Sequence, residues 1–196
     1  MGVRRLRAGR RPGRDIVAAK KLKVGLIGIG AIGRIHAEAF TATGEAEVAA
    51  LCDVNAPRLQ AEGDRLEVAK GGRFTDYNEL LGSDVDAIVV GVGNALHREV
   101  AVAALQAGKH VLLEKPMALN AEQAQAIVDA AADSPGTLQI GMVRRQAPEA
   151  QVLRSYIEAG ELGAIYHMRT VLVRRRGIPG LGGWFTTKAE SGGGPM

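Results

Sequence analysis

Residues 24–33 read VGLIGIGAIG, a short apolar run that leads directly into a glycine motif of the form G-x-G-x-x-G. The three glycines are Gly28, Gly30 and Gly33. In such a motif the first glycine makes a tight turn, the second leaves room in front of the backbone, and the third lets a helix pack closely on a strand. The pattern on either side predicts a strand at 24–28 and a helix at 31–43.

Short apolar runs and Ala-rich helical patterns alternate along the chain after this motif. Further strands are predicted at 48–53, 73–75, 87–91, 111–114 and 138–141, and further helices at 57–70, 77–81, 95–107 and 121–132. The strands lack period-two alternation, which indicates a parallel sheet covered by helices on both faces. We therefore predict an α/β fold with a doubly wound parallel Rossmann sheet over residues 22–145.

The pattern changes in residues 146–196. A helix is predicted at 147–159 and a long strand at 165–175, and a glycine-rich segment with Trp184 and Phe185 follows. One helix and one strand cannot enclose a hydrophobic core of their own. We therefore expect this part to be the start of an incomplete α+β second domain.

Composition limits the classes of function. The formal charge of +4 conceals a basic start, because residues 1–23 hold six Arg, three Lys and one Asp and the remainder is therefore net acidic. We predict a basic, disordered tail at 1–21, with an extended or misassigned start, an electrostatic arm and an organelle-targeting peptide as alternatives. No basic face follows it, so we expect no nucleic-acid partner.

Two further absences in the sequence bear on location. No apolar run approaches the roughly 20 residues that cross a bilayer, so we expect no membrane segment. The single cysteine, Cys52, allows no internal disulfide and is predicted to be a small core residue. A reducing compartment follows, and we expect the protein to be cytoplasmic and without a metal site.

The glycine motif predicts a dinucleotide site, with incidental glycines in a turn as the alternative. Asp53 ends the second strand 20 residues after Gly33, where a carboxylate can bind a ribose diol. A carboxylate accepts from a 2′-hydroxyl and repels a 2′-phosphate, which favours NAD over NADP. Arg58 leaves NADP open, although a solvated helix residue is the simpler interpretation. The predicted loop contacts are Gly28, Ile29, Gly30, Ala31, Ile32 and Gly33.

A second motif ends the strand at 111–114, where the chain continues as Glu114-Lys115-Pro116. Proline cannot donate to a sheet ladder, so the strand stops there, and the sharp turn leaves both a cis and a trans peptide before Pro116 open. The carboxyl edge of a parallel sheet is where ligands bind, so Lys115 is a candidate ligand contact. An ion pair between Lys115 and Glu114 is the structural alternative.

With these motifs in place, the chain resembles the Gfo/Idh/MocA oxidoreductase family from about residue 22 to its end. The matching segments are the glycine motif, Asp53, YNELL at 77–81, VDAI at 85–88, Asn94 with His97, AGKHV at 107–111, Glu114-Lys115-Pro116, and Trp184 with SGGG at 191–194. The resemblance implies two-domain, often homo-oligomeric NAD(P)-dependent dehydrogenases that act on sugars, inositols or related polyols.

The resemblance also implies roles for particular residues. Lys115 would be catalytic, lying near the nicotinamide and hydrogen-bonding the reacting hydroxyl, and Glu114 would orient that amine or contact the ribose. Further cofactor contacts are implied for Val92, Gly93, His97 and Arg144. Alternatives are a backbone-satisfied histidine for His97 and, for Arg144 with Arg145, a solvated pair at the domain junction. His36 is interpreted as a packing residue.

Two departures from the family pattern qualify this reading. Val92-Gly93 occupies the place of the family's usual Thr-Pro after the fourth strand. The chain also stops at Met196, before an Asp and a His that the family places after the SGGG segment. We therefore expect NAD binding with little or no turnover, and a non-catalytic NAD-binding module or sensor is the alternative function.

Overall fold

A computed structural model of the chain describes residues 20–171, 173 and 183–193. Nearly all of the predicted tail at 1–21, and the end of the predicted strand at 165–175, lie outside the described residues. The predicted division of the chain at residue 145 stays a prediction.

The described part contains a parallel sheet of six strands in the order β3-β2-β1-β4-β5-β6. The strands are β1 (Leu22–Ile27), β2 (Ala46–Cys52), β3 (Arg73–Phe74), β4 (Ala87–Val90), β5 (His110–Leu113) and β6 (Leu138–Ile140). All neighbouring pairs run parallel. The prediction of a doubly wound parallel Rossmann sheet is confirmed, and the strand order reverses between β1 and β4.

Helices connect successive strands of the sheet. They are α1 (Ala31–Thr43), α2 (Ala56–Arg65), α3 (Tyr77–Leu81), α4 (His97–Gln106) and α5 (Ala121–Asp133), followed by α6 (Pro148–Glu158) and the short α7 (Lys188–Ser191). Short 3-10 turns occur at Lys70–Gly72, Asn94–Leu96, Val143–Gln146 and Trp184–Thr186. The predicted helix at 57–70 was too long, because Glu67 takes a positive φ of 56° that an α-helix cannot contain.

Both faces of the sheet are buried, which explains why the strands lack period-two alternation. On β1, Val24 and Leu26 pack in one hydrophobic cluster with Leu59 of α2. Ile27 packs in the other cluster, with Val100 of α4. The buried positions of β1 therefore meet apolar side chains on both faces of the sheet.

The predicted strand at 165–175 is wrong where the structure describes it. Residues 165–171 and 173 have no strand conformation. A strand exists only where neighbouring backbone groups satisfy its N–H and C=O groups, and no described segment pairs with this one. Helix α6 forms as expected, but none of its residues is buried.

The approach of α1 to β1 yields a first test of the fold. In Gly33→Ala, the new Cβ would lie 2.2 Å from the carbonyl oxygen of Gly28, so α1 would have to move away from the sheet. We expect a loss of about 2–3 kcal/mol and a thermal midpoint lower by roughly 5–10 °C, measured by circular dichroism. Gly71→Ala, whose Cβ would meet nothing within 4 Å, is the matched control. Equal midpoints for the two variants would contradict the packing argument.

Candidate functional site

A cleft of about 740 Å³ opens at the carboxyl ends of β1 and β4, where the strand order reverses. Its walls come from the loops that follow β1, β2, β3, β4 and β5, together with two aromatic residues from the later part of the chain. Parallel α/β sheets bind ligands in this crevice because the connecting loops diverge there. We refer to it below as the cleft.

The glycine loop shapes one end of the cleft. Gly28 has a φ of +85°, and a Cβ at this position would lie 2.7 Å from the carbonyl oxygen of Gly91, so the β1 and β4 loops can meet only through glycine. A Cβ at Gly30 would meet nothing within 4 Å, which leaves open space in front of the backbone. Ile29 differs from the other predicted contacts, because its side chain is buried in the core.

Helix α1 begins at this open space with free N–H groups. Its N-cap residue is Gly30, which offers no side-chain cap, and the first turn carries no acidic residue. The unpaired N–H groups and the positive end of the helix dipole therefore face the open space, and α1 itself supplies no negative charge there. Such a terminus fits a phosphate group.

Asp53 connects the glycine loop to the end of β2. Its buried carboxylate accepts from the backbone N–H groups of Ile29 (3.1 Å) and Asn55 (2.9 Å). It also accepts from Nη1 of Arg58 at 3.2 Å. Arg58 is therefore not simply a solvated helix residue, since it is ion-paired with Asp53 and lines the cleft.

Glu114 and Lys115 enter the cleft at the end of β5. The buried Glu114 carboxylate accepts from the backbone N–H of Lys115 at 3.1 Å, not from its ammonium. The Lys115 side chain lines the cleft, and among the described residues its ammonium has neither an ion-pair nor a hydrogen-bond partner. The alternative of a Lys115–Glu114 ion pair is thus wrong, and the peptide before Pro116 is cis.

His36 is the functional candidate that sequence reasoning missed. It was predicted to be a packing residue, but its Nε2 donates to Oε1 of Glu114 at 2.9 Å. A signal was available in its spacing. His36 lies three residues after Gly33, and residues at that spacing share a helix face, so both face the sheet.

His97 is held entirely by backbone atoms. The ring is 1% exposed, with Nδ1 at 2.7 Å from the carbonyl oxygen of Pro116 and Nε2 at 3.2 Å from that of Val92. A neutral imidazole can donate to one of these oxygens and an imidazolium to both. The ring therefore joins the β4 and β5 loops in the wall of the cleft, as the backbone-satisfied alternative predicted. Val92 and Gly93 also line the cleft.

Arg144 is the predicted contact that the structure does not bring to the cleft. It lies in the exposed turn Val143–Gln146 after β6 and is absent from the residues that line the cleft. The reason is the sheet order, since β5 separates β6 from β4 and thereby from the crevice at β1 and β4.

The segment 183–193 closes part of the cleft with aromatic side chains. Trp184 and Phe185 line it, their rings in an edge-to-face arrangement with centroids 5.3 Å apart. The segment is attached through Asn94, whose Nδ2 donates to the backbone carbonyl of Ser191 at 2.9 Å. Asn94 is a second residue whose role the sequence analysis did not assign.

Cys52 contributes to the cleft floor but not to its reactivity. Burial, and then the negative charge of Asp53, raises the pKa of its thiol to about 12. The thiol therefore stays protonated at neutral pH, which agrees with the predicted role as a small core residue. Within the described ranges, no three His, Cys, Asp or Glu side chains lie together as metal ligands. No helix among these residues has the length and apolar character needed to span a bilayer.

Comparisons with known proteins agree with this geometry. A family model described as "Oxidoreductase family, NAD-binding Rossmann fold" matches residues 22–142. The chain is 38% identical over 146 residues to inositol 2-dehydrogenase of Salmonella paratyphi B, covering 72% of this chain and 43% of that enzyme. It is 32% identical over 188 residues to D-glucoside 3-dehydrogenase of Escherichia coli, covering 93% and 52%.

A solved structure of a dehydrogenase also matches this chain. The WlbA dehydrogenase from Bordetella pertussis, in complex with NADH and UDP-GlcNAcA, superposes with a TM-score of 0.70 at 32% sequence identity. The match covers 75% of this chain and 45% of that one. The chain thus spans about half the length of the known proteins it matches, or somewhat less.

Proposed function

We propose, from the premise that this chain belongs to the Gfo/Idh/MocA oxidoreductase family, that it binds NAD in the cleft and serves hydride transfer at a CH–OH group of an inositol, sugar or related polyol. The observation that carries the proposal is the convergence in one cleft of the open glycine loop, Asp53 and Lys115, whose ammonium has no partner in the part of the chain that the structure describes. The dehydrogenases that it resembles, named for inositol and D-glucoside, support the substrate class.

The residues of the cleft fit the proposed cofactor. The open space at Gly30 and the uncapped N-terminus of α1 suit the pyrophosphate, while the fixed carboxylate of Asp53 suits a ribose diol. When bound, the nicotinamide supplies the hydride acceptor or donor. The aromatic pair Trp184 and Phe185 would exclude water from the cleft.

Lys115 is the proposed catalytic residue. In oxidation of an alcohol, the hydroxyl proton leaves the substrate oxygen and the hydride leaves the carbon, and negative charge develops on the oxygen as the proton departs. An ammonium at Nζ donates to that oxygen and stabilises the charge, while the hydroxyl proton passes to solvent. Because the Glu114 carboxylate is engaged by His36 and by a backbone N–H, it leaves the Lys115 ammonium available for the substrate.

The first prediction tests the phosphate site. Gly30→Ala should fold normally, because its Cβ meets no protein atom within 4 Å, but it fills the space proposed for the pyrophosphate. We expect NADH affinity to fall by about tenfold or more, since the close approach of phosphate to backbone is lost. Trp184 is the single tryptophan, so quenching of its fluorescence by NADH reports binding. Gly71→Ala should bind as the wild type does, and unchanged affinity in Gly30→Ala would contradict the assignment.

The second prediction concerns the choice of cofactor. Arg58 partly neutralises Asp53, so Arg58→Ala should leave a carboxylate that repels a 2′-phosphate more strongly. We expect the ratio of NADPH to NADH dissociation constants to rise about fivefold, measured by titration of Trp184 fluorescence. Arg65→Ala, which removes an arginine of the same helix that does not line the cleft, is the control. A lower ratio in Arg58→Ala would mean that Arg58 does not act through Asp53.

The third prediction tests Lys115 in hydride transfer. We expect NADH formation by this chain to be slow, and with NAD and a panel of inositols and hexosides Lys115→Met should lower the rate, followed by absorbance, by a further factor of about 100 or more. NADH affinity should change less than about threefold, because the ammonium acts on the substrate oxygen. Equal NADH formation in both proteins would contradict the catalytic role.

A further inference from the structure

We propose that His36 is a positioning residue for the nicotinamide end of the cleft and that it acts through Glu114 on the backbone of Lys115. The inference rests on the proposed function. It concerns residues on α1 and β5 that come from distant parts of the sequence, separated by 78 positions.

The argument begins with the Glu114 carboxylate, which is 6% exposed. One oxygen accepts from His36 and the other from the backbone N–H of Lys115. A Cβ at Gly141 would lie 3.1 Å from Oε1, so the backbone that follows β6 lies close against this carboxylate. Without His36, Oε1 would lose its hydrogen-bond donor at a buried position, and the carboxylate would have reason to rotate away from Lys115.

The second step is the position of His36 on its helix. The helix that begins at the open glycine loop carries His36 six residues after Gly30. A single rigid element therefore contacts the proposed phosphate site with its N-terminus and the Lys115 loop with its second turn. The contact sets the distance between the two ends of the cleft.

The third step is the opposite side of the same loop. His97 bonds the carbonyl oxygen of Pro116, while Glu114 bonds the N–H of Lys115. Histidines from α1 and α4 thus hold the backbone on both sides of the Lys115–Pro116 peptide, one of them through a carboxylate. The backbone is fixed, and the Lys115 ammonium has no partner among the described residues. The Lys115 side chain therefore extends from a fixed backbone, and its ammonium is available to bond a ligand.

A purely structural role explains this arrangement less well. A buried carboxylate costs free energy unless it is hydrogen-bonded, and an apolar residue of equal size would avoid that cost. The hydrophobic clusters on the two faces of the sheet are formed by apolar side chains, whereas the buried polar residues Asp53, Asn94, His97 and Glu114 all line the cleft. A histidine–carboxylate pair at the edge of the cleft is therefore better explained by the precision that it gives to Lys115.

The test separates the two ends of the cofactor. NADH and ADP-ribose share the adenosine and the pyrophosphate, but ADP-ribose lacks the nicotinamide. In His36→Leu, which cannot donate to Glu114, we expect NADH affinity to fall about tenfold and ADP-ribose affinity to change less than about twofold, by isothermal titration. His36→Gln, whose amide can donate to Oε1, should restore NADH binding to within about threefold of the wild type.

Arg34→Leu is the control for general loosening of α1, because it breaks the contact of this helix with Glu62 on α2. It should affect the two ligands equally. Equal loss of NADH and ADP-ribose in His36→Leu, or a His36→Gln variant as weak as His36→Leu, would overturn the inference. Should His36→Leu fail to fold by thermal melting, His36→Asn, which is too short to reach Glu114, replaces it with the same expected result. A wild-type chain that binds ADP-ribose but gains nothing from the nicotinamide would contradict the proposed function itself.

Discussion

The close approach of α1 to β1 is the constraint on which the rest of the structure depends. A side chain at Gly33 would collide with the carbonyl oxygen of Gly28 at 2.2 Å, and one at Gly28 would collide with the β4 loop. Only glycine lets helix, strand and neighbouring loop meet at this point. The same contact opens the space at Gly30, points the α1 N-terminus into the cleft and brings the second turn of α1 within reach of β5.

The two ends of the cleft are formed by different kinds of groups, backbone at one end and side chains at the other. The glycine end is formed by backbone, so its recognition depends on N–H groups and the absence of side chains. The Lys115 end is formed by side chains that fix one short loop, namely His36, Glu114 and His97. Asp53 belongs to the first end, where three donors hold its carboxylate, including Arg58.

Local patterns were sufficient for most of the fold, because strand and helix periodicity, the glycine motif and the strand-ending proline are properties of adjacent residues. Helix α1 begins and ends where the pattern predicted. Local patterns were insufficient where a segment distant in the sequence determines whether a strand forms or where a residue lies. The stretch at 165–171 has the apolar and β-branched residues typical of a strand, but a strand forms only when a neighbouring strand pairs with it. Arg144 follows a strand end as Asp53 does, but only the strand order shows that β6 lies away from the crevice.

The sequence by itself therefore determined the parallel sheet, the glycine loop, the acid at the end of β2 and the lysine before a proline. Tertiary structure alone decided the hydrogen bonds among them. His36 and Glu114 are 78 residues apart, and neither the partner of a histidine nor the orientation of a carboxylate follows from its neighbours in the chain. The physical reason is that a buried polar side chain takes whichever partner packing brings within about 3 Å, and packing is a property of the whole fold.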